Sequence, residues 1–138
     1  MKDVAYIALG SNLGNREVFL AQARRSIAEL PATRVLGATE VEETKPIGPI
    51  SQGPFLNQMM AIETELSPQA LLRELMRIEK DAGRVREKKW GPRTLDLDIV
   101  LFENQTVSEP DLIVPHPQLS NRPFWLRELT ELRSARVG

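Results

Sequence analysis

Two aspartates one residue apart, Asp96 and Asp98, stand in the run Trp90-Gly91-Pro92-Arg93-Thr94-Leu95-Asp96-Leu97-Asp98-Ile99-Val100-Leu101-Phe102. From Thr94 the run alternates, with Thr94, Asp96 and Asp98 on one side and Leu95, Leu97, Ile99 and Leu101 on the other. Period two predicts a half-buried strand, and residues i and i+2 of a strand project from one face roughly 7 Å apart. Two neighbouring carboxylates repel, and a cation relieves that repulsion. Hard divalent cations prefer carboxylate oxygens, and Mg²⁺ commonly takes one or two of them together with substrate phosphates. Arg93, just upstream, offers a planar fork suited to phosphate. An alternating acidic strand is ordinarily an edge strand with a solvated polar face. Here an aromatic, a rigid Gly-Pro and an arginine lead directly into the pair, which favours the metal reading.

Other residues fit the same chemistry. Arg84, Arg86, Lys88, Lys89 and Arg93 place five positive charges in ten residues, with Glu87 the only acid among them. Phosphoryl transfer needs such cations, because its catalysis is mostly positioning and electrostatics. A solvated loop accounts well for Arg86, Lys88 and Lys89, less well for Arg84 after Gly83, and least for Arg93. His116 is the single histidine, held between Pro115 and Pro117. A lone histidine is more often structural than functional, and no second His or Cys can join it on a metal. Phe55 and Asn57 are i and i+2 on an expected strand, so a ring and an amide share one face. That pair suits a flat heterocycle rich in donors and acceptors. Phenylalanine is more commonly core, but an amide in an apolar strand must find partners. Gly10-Ser11-Asn12-Leu13-Gly14 lacks both the Walker A ending and the dinucleotide glycine spacing. It reads as a turn with φ > 0 at its glycines.

Trp90 to Asp98 resembles the signature of the 6-hydroxymethyl-7,8-dihydropterin pyrophosphokinases, which move a diphosphate from ATP onto a pterin alcohol. Gly10 to Gly14, Thr44-Lys45-Pro46-Ile47-Gly48 with Phe55-Leu56-Asn57, and Ile78-Glu79 with Gly83-Arg84 are similar to further blocks of that family. So is Pro115-His116-Pro117 with Arg122 and Phe124. The blocks follow the family's order from residue 4 to about residue 126. The resemblance implies ATP as co-substrate, its phosphates on Arg84, Arg93, His116 and Arg122, and two Mg²⁺ ions on Asp96 and Asp98. Arg84 and Arg93 are thereby grouped with the Asp pair as catalytic. It implies a pterin stacked between Phe55 and Phe124, bonded by Asn57 and edged by Thr44, Lys45, Pro46 and Ile47. Glu79 has two readings, a contact on the nucleotide side or a brace for Arg84. The chain departs from the family in Lys45, where relatives often carry Pro, and in Phe55, where Tyr is common. It also lacks an expected proline near position 128.

Composition narrows the field. The 138 residues suit one domain with a proper core. A net charge of −1 gives no global field for nucleic acid or anionic membrane. No cysteine means no disulfide, thiolate zinc site or thiol nucleophile. No run approaches the ~20 apolar residues of a membrane span, and no signal-peptide core follows Met1. A cytoplasmic protein is expected.

These residues need elements to hold them. Val4 to Leu9 reads as a strand buried on both faces. A helix capped by Asn15 follows, with Leu20, Ala23, Ile27 and Leu30 as its stripe and Pro31 as its stop. Arg34 to Glu43 reads as a second strand, 44–54 as a loop, and Phe55 to Glu65 as a third strand. Ser67-Pro68 opens a second helix, striped by Leu71, Leu75, Ile78 and Ala82 and ended by Gly83. After the Asp strand comes a Pro-rich stretch with a short hairpin, and Trp125, Leu129 and Leu132 mark a last, short helix. The order β-α-β-β-α-β is the ferredoxin-like pattern, an α+β core of antiparallel sheet with packed helices.

The sequence thus reads as a single Mg²⁺-dependent pyrophosphokinase domain, 1–138, acting on ATP and hydroxymethyl dihydropterin in folate biosynthesis. The glycine- and proline-rich segments 10–14, 44–54 and 84–92 are the expected lids. The oligomeric state is open, a monomer being one option, as is association with other folate enzymes. Two other classes stay open: a different Mg²⁺-nucleotide enzyme such as a nucleotidyltransferase, and a non-catalytic ferredoxin-like module.

Overall fold

The uninterrupted apolar run near the N-terminus occupies the centre of the sheet. In the computed structural model, which describes residues 2–45, 53–83 and 94–137, β1 (Asp3–Ser11) is buried at all nine positions. It pairs antiparallel with β4 (Phe55–Thr64) on one side and with β5 (Asp96–Phe102) on the other. β2 (Thr33–Ala38) and β3 (Glu42–Thr44) both pair with β4, giving the order β2-β4-β1-β5. That is the ferredoxin-like arrangement, and the expected α+β antiparallel core is present.

Each face of the sheet has its own core. α1 (Arg16–Ala28) and α2 (Pro68–Asp81) cover one face, where Leu20, Ile27, Leu71, Leu75 and Ile78 meet Ile7, Leu9, Met60, Leu97 and Ile99. Each fully buried Leu or Ile there contributes about 1.5–3 kcal/mol. Asn15 caps α1 by accepting from the Val18 N–H (3.3 Å), and Ser67 caps α2 by accepting from Ala70 (3.1 Å). Gly83, at φ 81°, closes α2. On the other face Val4, Tyr6, Ala8, Met59, Ala61 and Val100 meet Trp125, Leu129 and Leu132 of α3 (Pro123–Val137). A hairpin of β6 (Val107–Glu109) and β7 (Leu112–Val114) follows β5, its Leu112 and Val114 joining the α1–α2 core. Asp3 ties the start of β1 to the turn after β5. Burial would raise its carboxyl pKa, but hydrogen bonds from Gln105, Val4 and Asn104 together hold it below the usual range. Among the described residues no helix is long and apolar enough to cross a membrane.

Four expectations need correction. The strand expected over Arg34 to Glu43 is two strands, because Thr39 breaks the ladder. Its hydroxyl takes the Met59 N–H (3.0 Å), while its carbonyl accepts from the Gln58 side chain (2.6 Å). The last helix, at 15 residues, is the longest α-helix among the described residues rather than short. Leu101 does not share a face with Ile99: the β1–β5 register shifts at Tyr6/Ile7, and Leu101 packs on the α3 side. Finally, Gly10 lies within β1, and of the two glycines in its motif only Gly14 has positive φ (74°).

α3 also buries a charge. Glu128 is 3% exposed, accepts from the Thr39 hydroxyl at 3.2 Å on Oε2, and among the described residues has no partner on Oε1. Burial, then the neighbouring Glu42, pushes its pKa up from 4.5 to about 7. The folded chain therefore holds this proton more tightly than the unfolded one. The resulting stability is complete below the ordinary carboxylate range and is lost as pH rises through about 7. Glu128→Gln is expected to exceed the native chain in stability at pH 8 by about 1–3 kcal/mol, with the gap closing toward pH 5. Thermal melts at the two pH values check this; equal gaps at both would contradict it.

Candidate active site

One row of residues runs across three adjacent strands on the α3 face. Asp96 of β5 pairs with Gly10 of β1, and Gly10 pairs with Asn57 of β4. Two strand spacings, about 10 Å, separate the carboxylate from the amide. Between them Gly10 offers no side chain. A Cβ there would stand 3.5 Å from both Asn57 Oδ1 and Phe55 Cδ1, and larger groups would fill the space above. The glycine keeps a floor open.

Above that floor lies a cavity, partly open to solvent, lined by Thr44, Lys45, Phe55, Asn57, Asp96, Asp98, Arg122, Phe124 and Trp125, with Ala8, Leu9 and Gly10 below. Most of the expected site residues thus meet in one place. Asn57 donates its amide to Thr44 Oγ1, so β3 and β4 present both groups together. Arg16 ties the same region to α1, donating to the Pro54 carbonyl (2.8 Å) and pairing with Glu43 (3.3 Å). Asn12 reaches the Gly53 carbonyl at 3.1 Å, linking the 10–14 segment to the approach to β4.

His116, just after β7, stands beside Asp98. Its backbone N–H docks on the Val100 carbonyl of β5 at 2.9 Å. Its Nδ1 accepts from the Gln118 N–H at 3.0 Å, which leaves Nε2 as the donating nitrogen. That Nε2 lies 3.5 Å from Asp98 Oδ1. Glu79, 4% exposed on α2, accepts the Leu97 N–H at 2.7 Å. Leu97 separates the two aspartates, so Glu79 pins the backbone that carries both. Neither sequence reading of Glu79 included this contact. Sequence reasoning also missed Trp125, whose three-residue spacing from Arg122 at a helix start was the available signal. Of the remaining expected residues, Pro46, Ile47, Arg84, Lys88, Lys89 and Arg93 lie outside the described residues.

A family model described as 7,8-dihydro-6-hydroxymethylpterin-pyrophosphokinase (HPPK) matches residues 6–134. The chain belongs to this family. It is 45% identical over 132 residues to the 2-amino-4-hydroxy-6-hydroxymethyldihydropteridine pyrophosphokinase of Bacillus subtilis (strain 168), a match covering 96% of this chain and 79% of that one. The enzyme of the same description from Haemophilus influenzae is 45% identical over 130 residues, 94% of this chain and 81% of its own. Among solved structures, HPPK-DHPS of Plasmodium falciparum with pteroate superposes at a TM-score of 0.68 with 13% identity. That match covers 91% of this chain and 38% of the other, and it speaks for the fold alone. The chain is a pyrophosphokinase that transfers diphosphate from ATP to the hydroxymethyl group of 6-hydroxymethyl-7,8-dihydropterin, a step of folate biosynthesis.

Proposed function

We propose that the pyrophosphokinase divides its pocket between the two substrates, with the ATP phosphates over β5 and the pterin over β4. The row Asp96–Gly10–Asn57 carries this reading, since it sets carboxylates and amide on one face with an open floor between. Asp96 and Asp98 fit two Mg²⁺ ions. Their donors are oxygens only, they share a strand face, and among the described residues no three His, Asp or Glu converge to complete a protein cage. Two carboxylates with phosphate oxygens and water are the ligand set this cation takes. When bound, Mg²⁺ supplies neutralisation of phosphate charge and a lower pKa for a coordinated hydroxyl.

The chain's own groups do the positioning. Arg122 and His116 Nε2 face the phosphates, and Arg84 and Arg93 join them from outside the described residues. Glu79 acts on this side too, by fixing the backbone of the Asp pair. Phe55 and Phe124 hold the pterin ring, Asn57 and Thr44 bond its edge, and Lys45, Pro46 and Ile47 border it. The hydroxymethyl oxygen then lies toward the β-phosphorus, and attack there expels AMP. The protein acts as one domain, monomeric and cytoplasmic in this account. Fusion remains an option in the family: a Lactococcus lactis relative at 36% identity is named bifunctional protein FolKE, and the match covers 37% of it.

Phe55→Ala and Phe124→Ala test the pterin half. Each is expected to weaken pterin binding by roughly 1–3 kcal/mol, the range for lost aromatic burial and stacking, with ATP binding little changed. Calorimetric titration of both ligands reads this. Unchanged pterin affinity in both folded variants would return these rings to the core.

A further inference from the structure

We infer that Trp125 is a positioning residue that holds Arg122 and His116 in their phosphate-facing poses. The inference rests on the proposed role of those two groups toward ATP. Trp125 is 3% exposed in the first turn of α3, yet its ring borders the pocket. The Arg122 guanidinium carbon sits 4.3 Å from the centre of the indole. The His116 ring meets the same indole edge-on, at 5.0 Å between centroids and 87° between planes. One side chain thus contacts both of these groups, which come from different segments.

Arg122 has little else to fix it. Among the described residues its buried Nε has no hydrogen-bond partner and no carboxylate pairs with its guanidinium. A long, rotamer-rich side chain without such anchors loses considerable entropy on meeting a ligand. Stacking on a buried indole removes that freedom beforehand and leaves the outward N–H groups for phosphate oxygens. For His116, the Gln118 N–H fixes Nδ1 and the indole edge sets the ring plane, so Nε2 is aimed toward Asp98. A Leu or Met at position 125 would fill the core equally well. It would offer no π face to the guanidinium. The aromatic choice therefore has a reason beyond packing.

Four variants test this, read by ATP affinity, pterin affinity and melting temperature. Arg122→Ala establishes whether the guanidinium serves ATP. Trp125→Phe keeps a ring, and Trp125→Met keeps the bulk without one; Trp125→Leu replaces the Met variant should that not fold. Phe and Met are expected to lower the melting temperature similarly, while Met alone weakens ATP binding, by about tenfold. Pterin affinity should change less than about twofold in either, since a cation–π contact to Arg122 does not involve that ligand. The fourth variant combines Trp125→Met with Arg122→Ala and should bind ATP no worse than Arg122→Ala within about twofold, because contacting residues are not additive. Parallel loss of ATP affinity in Phe and Met, or an undiminished Met effect without Arg122, would overturn the inference and leave the phosphate assignment standing. No effect of Arg122→Ala itself would overturn that assignment and the inference with it.

Discussion

Asp96→Ala and Asp98→Ala are each expected to lower diphosphate transfer by on the order of 10²–10³-fold or more, the scale for losing one charge-stabilising group in a preorganised site. Pterin binding should persist, because Asn57 and Phe55 stand two strands away. The expected loss follows from how the pair is held. Both carboxylates project from one face of β5 into one cavity, and the peptide between them is pinned by Glu79 through the Leu97 N–H at 2.7 Å. Asp→Asn variants sharpen the point: shape is kept, charge is lost, and the loss of transfer should be nearly as large. Initial rates at saturating ATP and Mg²⁺, with pterin affinity measured in parallel, check this. Near-normal transfer in both alanine variants would contradict the metal assignment.

What the sequence made legible was whatever depends on a local period. Asp96 with Asp98, and Phe55 with Asn57, are two-residue spacings on strands, so their shared faces follow from backbone geometry alone. The caps Asn15 and Ser67 are equally local and stand as expected. What stayed hidden depends on partners distant in the chain. The break at Thr39 arises because its hydroxyl replaces a ladder contact to Met59, which nothing near residue 39 announces. Leu101 changes face because of a register shift opposite Tyr6 and Ile7, ninety-odd residues away. Trp125 read as one more apolar residue in a helical stripe, and it is that. Its contact with Arg122 is local, but that with His116 appears only when the segment after β7 docks on β5. Glu79 is a similar case, a helix carboxylate whose acceptor role is set by a strand packed against it.

Transfer of a diphosphate from ATP requires attack at the middle phosphorus of the three. Asp96, Asp98 and Arg122 line the same cavity as Phe55, Asn57 and Phe124, and the proposed division of that cavity sets the pterin hydroxyl against the β-phosphorus.

The fate of the nucleotide tests this most directly. An ordinary kinase attacks the γ-phosphorus and releases ADP, and a nucleotidyltransferase attacks the α-phosphorus and releases pyrophosphate. Incubation of the protein with ATP, Mg²⁺ and 6-hydroxymethyl-7,8-dihydropterin, followed by chromatography of the nucleotides, distinguishes all three. The account predicts AMP in one-to-one ratio with pterin diphosphate, and none when either Mg²⁺ or the pterin alcohol is omitted. ADP or pyrophosphate as the main product, or AMP formed without the pterin, would contradict it.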